Sequence, residues 1–168
     1  MNKWMRLLRH RFYDERYARR AVGRDALDRI HAAIAHSEAG HSGEIRVCIE
    51  GGMPLSYLWR NADARERAVN MFGKLGVWDT EQNNGVLIYL LLADHRIEIV
   101  ADRGLNRHVD AAQWRQIVDH LAAACRARQF EAGLLGAIDE VDAVLRRLFP
   151  REAGQPDINE LPDRPDVR

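Results

Sequence analysis

Cysteine is scarce in this chain, with Cys48 and Cys125 alone among 168 residues and no CxxC pair. A disulfide scaffold or cysteine-ligated zinc site is therefore not suggested, and two buried free thiols suit a reducing cytoplasm. Long apolar runs are missing too, since none approaches the roughly 20 apolar residues of a membrane span. Near the start, Trp4-Met5 and Leu7-Leu8 are split by Arg6 and followed by Arg9-His10-Arg11. No apolar core of a secretory signal forms there, and a cytoplasmic protein is expected. Net charge is absent: 25 Lys and Arg balance 25 Asp and Glu. With no global field to recruit it, nucleic acid is not an expected partner. There is no HExxH, no serine in a nucleophile elbow, and no Gly-rich loop ending in lysine. Zinc hydrolysis, a serine triad and a nucleotide cradle thus lack their signatures. The seven histidines do not make up the deficit. His31, His36 and His41 are spaced to spread around a helix, and His95, His108 and His120 fall on separate elements.

What is present is unevenly distributed. Residues 1–24 hold eight Lys or Arg against Asp14 and Glu15. In this basic arm Trp4, Met5, Leu8 and Phe12 recur at helical spacing among the arginines. Two readings stand: contact with an anionic membrane surface or an unknown acidic protein partner, or an amphipathic helix covering the edge of the domain. Residues 151–168 lean acidic, carry three of the five prolines and lack apolar periodicity. A disordered Pro-rich acidic tail is expected there. Between the arm, 1–23, and this tail, residues 24–150 form one domain, long enough to bury a core without staples.

The periodicities order that domain. A helix is predicted over 25–39 from Leu27, Ile30 and Ile34, and a strand over 44–50 from Ile45, Val47 and Ile49 alternating with Arg46, Cys48 and Glu50. Gly51-Gly52-Met53-Pro54 ends the strand, and 53–60 reads as a loop bearing Tyr57 and Trp59. Asp63 and Glu66 form a capping box for a helix over 62–75. Residues 85–102 read as two strands about a turn at Ala93-Asp94-His95-Arg96, the first a continuous apolar run as in a strand covered on both faces. Asp110 opens a helix with Trp114, Ile117, Val118 and Leu121 on one face. A last helix carries Leu134, Ile138, Val141, Leu145 and Leu148 and ends at Pro150. The fold class implied is α/β, a three-layer sandwich in which a small mixed β-sheet has helices on both faces.

This topology brings candidate residues together. The third strand returns antiparallel, so Asp102, Arg103 and Asn106 should share a sheet edge with Gly43, Glu44, Asn83 and Asn84, and Asp110 comes back to it. Oxygen ligands of this kind suit calcium or magnesium, and the Arg103 guanidinium suits a phosphate or carboxylate. Simpler readings stand beside these: Asp110 as an N-cap, Asn83-Asn84-Gly85 as a loop, and Asp102-Arg103 as a surface ion pair. A rival edge lies past the carboxyl ends of the parallel strands, with Glu50, Gly51, Gly52, Asp94 and His95.

Four segments carry a family resemblance. They are Gly43-Glu44-Ile45-Arg46-Val47, Asn84-Gly85-Val86-Leu87-Ile88-Tyr89-Leu90, Arg96-Ile97-Glu98-Ile99-Val100-Ala101-Asp102-Arg103-Gly104-Leu105, and Phe130-Glu131-Ala132-Gly133-Leu134. Over about 24–150 the chain resembles the TPM domain family, in particular its short soluble bacterial members. The resemblance implies an α/β sandwich, an acid phosphatase activity and divalent-metal binding. Asp102-Arg103 stand where many members have Gly-Tyr and change the charge pattern. In a phosphatase reading Asp102 and Arg103 would be the catalytic residues, Asn84, Asp102, Asn106 and Asp110 would hold a calcium or magnesium ion, and Arg103 would stabilise the transferring group. Asn106 stands where many members have glutamate, and Asn83-Asn84 where many have an aspartate–asparagine pair. Fewer carboxylates weaken such a site. Two functions follow: a non-catalytic binding or accessory module, working at the membrane surface through the basic arm, and, as the alternative, a metal-assisted phosphatase.

Overall fold

The computed structural model describes residues 3–151 and 159–168. A four-stranded mixed sheet orders its strands β3-β2-β1-β4, with β1 Ile45–Glu50, β2 Val86–Leu91, β3 Arg96–Ala101 and β4 Asp166–Val167. β1 and β2 run parallel from Ile45↔Val86 to Glu50↔Leu91, and β2 and β3 run antiparallel from Val86↔Ala101 to Leu91↔Arg96. Among the described residues eight helices surround it: α1 Lys3–Phe12, α2 Glu15–Val22, α3 Arg24–Glu38, α4 Leu55–Trp59, α5 Ala64–Lys74, α6 Arg103–Asn106, α7 Ala111–Arg126 and α8 Phe130–Leu148.

Alternation along the strands builds two apolar layers. Ile45, Val47 and Ile49, with Val86, Ile88 and Leu90, face α3, α7 and α8 through Ile30, Ile34, Ile117, Leu121, Ile138 and Val141. Cys48, Leu87, Tyr89, Leu91 and Val100 face the other way, onto Leu58 of α4 and Ala64, Ala68 and Met71 of α5. A strand buried on both sides needs apolar residues at every position, as β2 has. Caps fix the helix starts. Asp63 accepts from the Glu66 N–H at 2.7 Å and Asp110 from the Ala112 N–H at 3.0 Å, each satisfying an orphan donor.

Two expectations are corrected. The segment 53–60 is not all loop: it contains α4, whose N-cap Pro54 presets the backbone just ahead of the first turn. Residues 159–168 of the tail are not disordered. They lie along the free edge of β1, where β4 pairs parallel with it at Cys48↔Asp166 and Ile49↔Val167. Gly51 N–H donates to Arg168 O at 2.7 Å, and the Arg46 guanidinium donates to Pro162 O and to Arg164 O, at 2.7 Å for the latter. The edge strand's unmade hydrogen bonds drive this docking. The tail residues 152–158 lie outside the described residues.

Candidate functional site

The edge expected to gather oxygen ligands begins where β1 and β2 start. Val86 N–H donates to Glu44 O at 2.8 Å, and Asp102 N–H to Gly85 O at 2.9 Å. Glu44, Gly85 and Asp102 thus sit side by side, one step outward from the first register pairs. Gly104 N–H reaches Asn83 O at 3.0 Å, and Asn84 Nδ2 donates to Ser42 O at 3.0 Å.

The five candidate residues divide by burial. Asn84 and Asp102 are buried. Arg103, Asn106 and Asp110 are exposed. Asp102 N-caps α6, its Oδ1 accepting from the Arg103 backbone N–H at 2.6 Å. That replaces the expected surface ion pair: the carboxylate is inside and takes the main chain of Arg103. Asn106 Nδ2 donates to Ala101 O at 2.8 Å, and Asp110 caps α7.

Among the described residues three oxygens at this edge are buried without a hydrogen-bond partner: Glu44 Oε2, Asn84 Oδ1 and Asp102 Oδ2. Orphaned buried acceptors are rare enough to require a reason. They are hard ligands, as a calcium or magnesium ion prefers, yet fewer than the roughly six to eight oxygens that calcium takes. Among the described residues no three His, Cys, Asp or Glu side chains gather as a metal-binding group. Asn84 and Asp102 each keep a buried oxygen without a described partner, whereas Asn106 is tied to Ala101 O and Asp110 caps α7. Glu44 was named in the sequence only as a neighbour. Burial pushes its carboxyl up to about 7, against the Glu160 N–H that donates to its Oε1 at 3.0 Å.

At the opposite edge, Asp94 collects the cations of α1. Arg6 Nη2 donates to Asp94 Oδ2 at 2.9 Å, Arg9 bonds Asp94 Oδ1, and His10 Nε2 lies 3.0 Å from that oxygen. Gly51 and Gly52, on the rival edge, are closely approached by backbone. A Cβ on Gly51 would meet the carbonyl oxygens of Tyr13 and Asp14, and one on Gly52 those of His10 and Tyr13. The glycines let the α1–α2 junction close over the end of β1.

This anchoring turns α1 inside out. Arg6, Arg9 and His10 face the domain, and Leu7 packs against the α4–α5 layer. The opposite face presents Trp4, Met5, Leu8 and Phe12, which are 70%, 59%, 61% and 71% exposed, and Leu55 and Trp59 of the neighbouring α4 are exposed as well. The helix does cover the domain edge, as one reading expected, but with its charged face. Beyond it, Arg16, Arg19, Arg20 and Arg24 of α2 and α3 line an open cleft with Arg164.

Two buried polar networks escaped sequence reasoning. Arg67 donates from Nε and Nη2 to Glu50 at 2.9 and 2.6 Å, Tyr89 O–H donates to Glu50 Oε2 at 2.6 Å, and the guanidinium stacks on Tyr57 at 4.7 Å. In the second, Gly43 N–H donates to His41 Nδ1 at 3.1 Å. That places the imidazole proton on Nε2, 2.9 Å from Ser37 Oγ, while Ser37 O–H donates to Asp142 Oδ1 at 2.6 Å. The proton order is the reverse of what an activated serine needs, so this trio ties α3 to α8 without nucleophilic chemistry. Of their members, Glu50 alone had been placed at a candidate edge by the sequence. No local pattern announces partners so far apart.

The sheet with helices on both faces and a polar edge at the start of its parallel strands defines an α/β sandwich domain. A model of the TPM domain matches residues 22–144, and the chain belongs to that family. It is similar to the BA42 protein of the psychrophilic bacterium Bizionia argentinensis, whose NMR structure shares 30% identity at a TM-score of 0.73, covering 84% of this chain and 92% of that one. The N-terminal domain of a P. gingivalis protein shares 20% identity at a TM-score of 0.60, covering 78% and 82%, a likeness of fold. No curated protein matches the chain.

Proposed function

We propose that this TPM domain is a non-catalytic binding or accessory module that docks on an anionic membrane surface through α1. The observation that carries the reading is the outward apolar face of α1, held in place by the Arg6 and Arg9 contacts to Asp94 behind it. Two aromatic rings, a leucine and a methionine are the side chains that an interfacial helix buries. Burying their exposed parts is worth about 4–8 kcal/mol before the cost of immobilisation. The arginines of α2 add attraction to anionic headgroups, about 1 kcal/mol for each one near the surface. No helix among the described residues is long and apolar enough to cross a membrane, so the contact proposed is peripheral. Flotation with phosphatidylglycerol vesicles tests this. The chain should float with them, and Leu8→Glu/Phe12→Glu should remain at the bottom. If the variant floats equally well, α1 is not the docking face, and if neither floats, an acidic protein partner replaces the membrane.

A metal-assisted phosphatase is the second reading, favoured by the orphaned oxygens of Glu44, Asn84 and Asp102. A bound divalent cation would polarise a phosphoryl oxygen or activate water. Asn84 and Asp102 would hold it, and the exposed Arg103 guanidinium would orient the anionic substrate. Magnesium-dependent turnover of p-nitrophenyl phosphate, lost in Asp102→Asn with the fold intact, would support this reading. Turnover unchanged by that substitution, or none at all, would remove it.

A further inference from the structure

Where β2 ends and β3 begins, the sheet leaves a cavity of about 180 Å³ against α7, the start of α8 and the α1–α2 junction. Strand alternation decides which side chains form it. Leu90, Leu92 and Ile97 turn to the α3–α7–α8 layer, and Ala122 and Cys125 of α7 and Phe130 of α8 line the cavity with them. Leu91 and Arg96, paired across the hairpin, turn to the opposite face. There Leu91 packs in the α4–α5 layer, and Arg96 lines a cleft with Asp63 and Asp94. The walls are therefore apolar, and among the described residues no Asp or Glu lines them. An apolar cavity of roughly 150 Å³ admits a benzene ring, so one ring fits here.

The cavity is rich in rings. Phe130 lines it from α8, and Tyr13 and Tyr17, with ring centroids 4.3 Å apart and planes tilted by 47°, close the side toward α2. The Tyr13 main chain is seated against Gly51 and Gly52, so that side is fixed to the end of β1. Burial pushes the Cys125 thiol up to about 11, which leaves it neutral at pH 7 and no nucleophile. A neutral, polarisable sulfur is a favourable neighbour for an aromatic ring. The exposed His95 and Arg126 stand at the rim.

We propose that this cavity binds a small uncharged aromatic molecule of one ring, seated among Phe130, Tyr13 and Tyr17 and against the Cys125 sulfur. These partners distinguish an aromatic ring from an aliphatic group of equal volume, because offset or edge-to-face ring pairs and sulfur–ring contacts add to the burial of area. A charged ligand would lose its hydration against Leu90, Leu92 and Ile97 with no buried countercharge to replace it. The location follows a general rule: the cavity lies past the carboxyl end of β2, on the side where open α/β sheets hold ligands. The site is remote in sequence from Asn84 and Asp102 and does not depend on membrane docking.

Phenol, cyclohexanol, benzoate and benzylamine titrated into the ¹⁵N-labelled chain separate the contributions of ring, shape and charge. Phenol should produce saturable shifts at Leu92, Ile97, Ala122 and Phe130 in the millimolar range, with cyclohexanol about fivefold weaker, as one ring pair implies. Benzoate and benzylamine should be at least about tenfold weaker than phenol. Phe130→Leu, which removes a ring and keeps the wall apolar, should weaken phenol about fivefold and leave cyclohexanol unchanged. Ala122→Phe, which fills the cavity, should abolish binding of phenol while its folded spectrum is retained. Should Ala122→Phe fail to fold, the Phe130→Leu comparison decides alone. The proposal is overturned if phenol does not saturate in the millimolar range, if cyclohexanol or either charged molecule binds equally well, if Phe130→Leu leaves phenol binding unchanged, or if folded Ala122→Phe still binds.

Discussion

Arg6 and Asp94, 88 positions apart, are joined by two hydrogen bonds to one oxygen: Arg6 Nε at 3.1 Å and Nη2 at 2.9 Å both donate to Asp94 Oδ2. This pair fixes which face of α1 meets the domain, and therefore which face meets whatever lies outside. A carboxylate in a hairpin turn recruits the arginines of the arm, and the apolar residues between them are left outward.

Replacing Asp94 with Asn should loosen α1 by about 2 kcal/mol, the usual worth of hydrogen bonds to a charged group. Amide exchange should quicken in α1 and stay slow in β1 and β2. Burial alone would raise the Asp94 carboxyl, but the Arg6 and His10 hydrogen bonds and charges hold it below its ordinary value. A carboxyl depressed in the folded state stabilises above its unfolded pKa and loses that contribution as pH falls through the folded value. Acid should therefore release α1 ahead of the sheet. Unchanged exchange in the variant would mean that the seat on Gly51 and Gly52 holds the helix by itself.

The Glu50–Arg67 pair is buried on both sides, with side chains 3% and 7% exposed. Arg67→Met leaves the Glu50 carboxylate without its countercharge and should cost about 3–5 kcal/mol. Urea denaturation reads this as a lower midpoint at an unchanged slope. A loss below about 1 kcal/mol would show that Tyr89 and penetrating water satisfy Glu50 without the guanidinium.

Two buried groups give stability opposite dependences on pH. Burial pushes the His41 imidazole down to about 4 from 6.5, so between those values the unfolded chain takes up a proton the folded one refuses, and stability falls as pH drops. Glu44, pushed by burial up to about 7 from 4.5, holds a proton in the folded state, and that contribution is lost as pH rises through 7. Each effect is on the order of 3 kcal/mol at most. Glu44→Gln should flatten the neutral limb of a stability–pH curve, and His41→Asn the acid limb. Parallel curves for wild type and either variant would contradict the assignment to that residue.

Much of the sheet was legible because its signal is local. The apolar run of 86–93 and the alternation of Ile97 and Ile99 each need only a few neighbours to be read, and Asp63 and Asp110 announce their helices within one turn. What escaped depends on distant partners. The pattern of β1 puts Arg46 and Glu50 on a polar side, yet both are buried, one under residues 159–168 and the other against Arg67. β4 is two residues long and lacks any periodicity to detect. The spacing of Trp4, Leu8 and Phe12 shows that they share a face, but spacing does not say whether that face turns inward, and Asp94 decides it. At the candidate edge, topology placed Asn84 beside Asp102, whereas the unpartnered oxygen of Glu44 became visible only with side-chain contacts.

Tryptophan emission in the presence of phosphatidylglycerol vesicles tests membrane docking by α1 most directly. Insertion of the outward face should shift the emission to the blue, and Trp4→Phe should remove most of the shift while the variant still floats with the vesicles. An emission spectrum indifferent to vesicles, or a shift of equal size in Trp4→Phe, would contradict docking through α1.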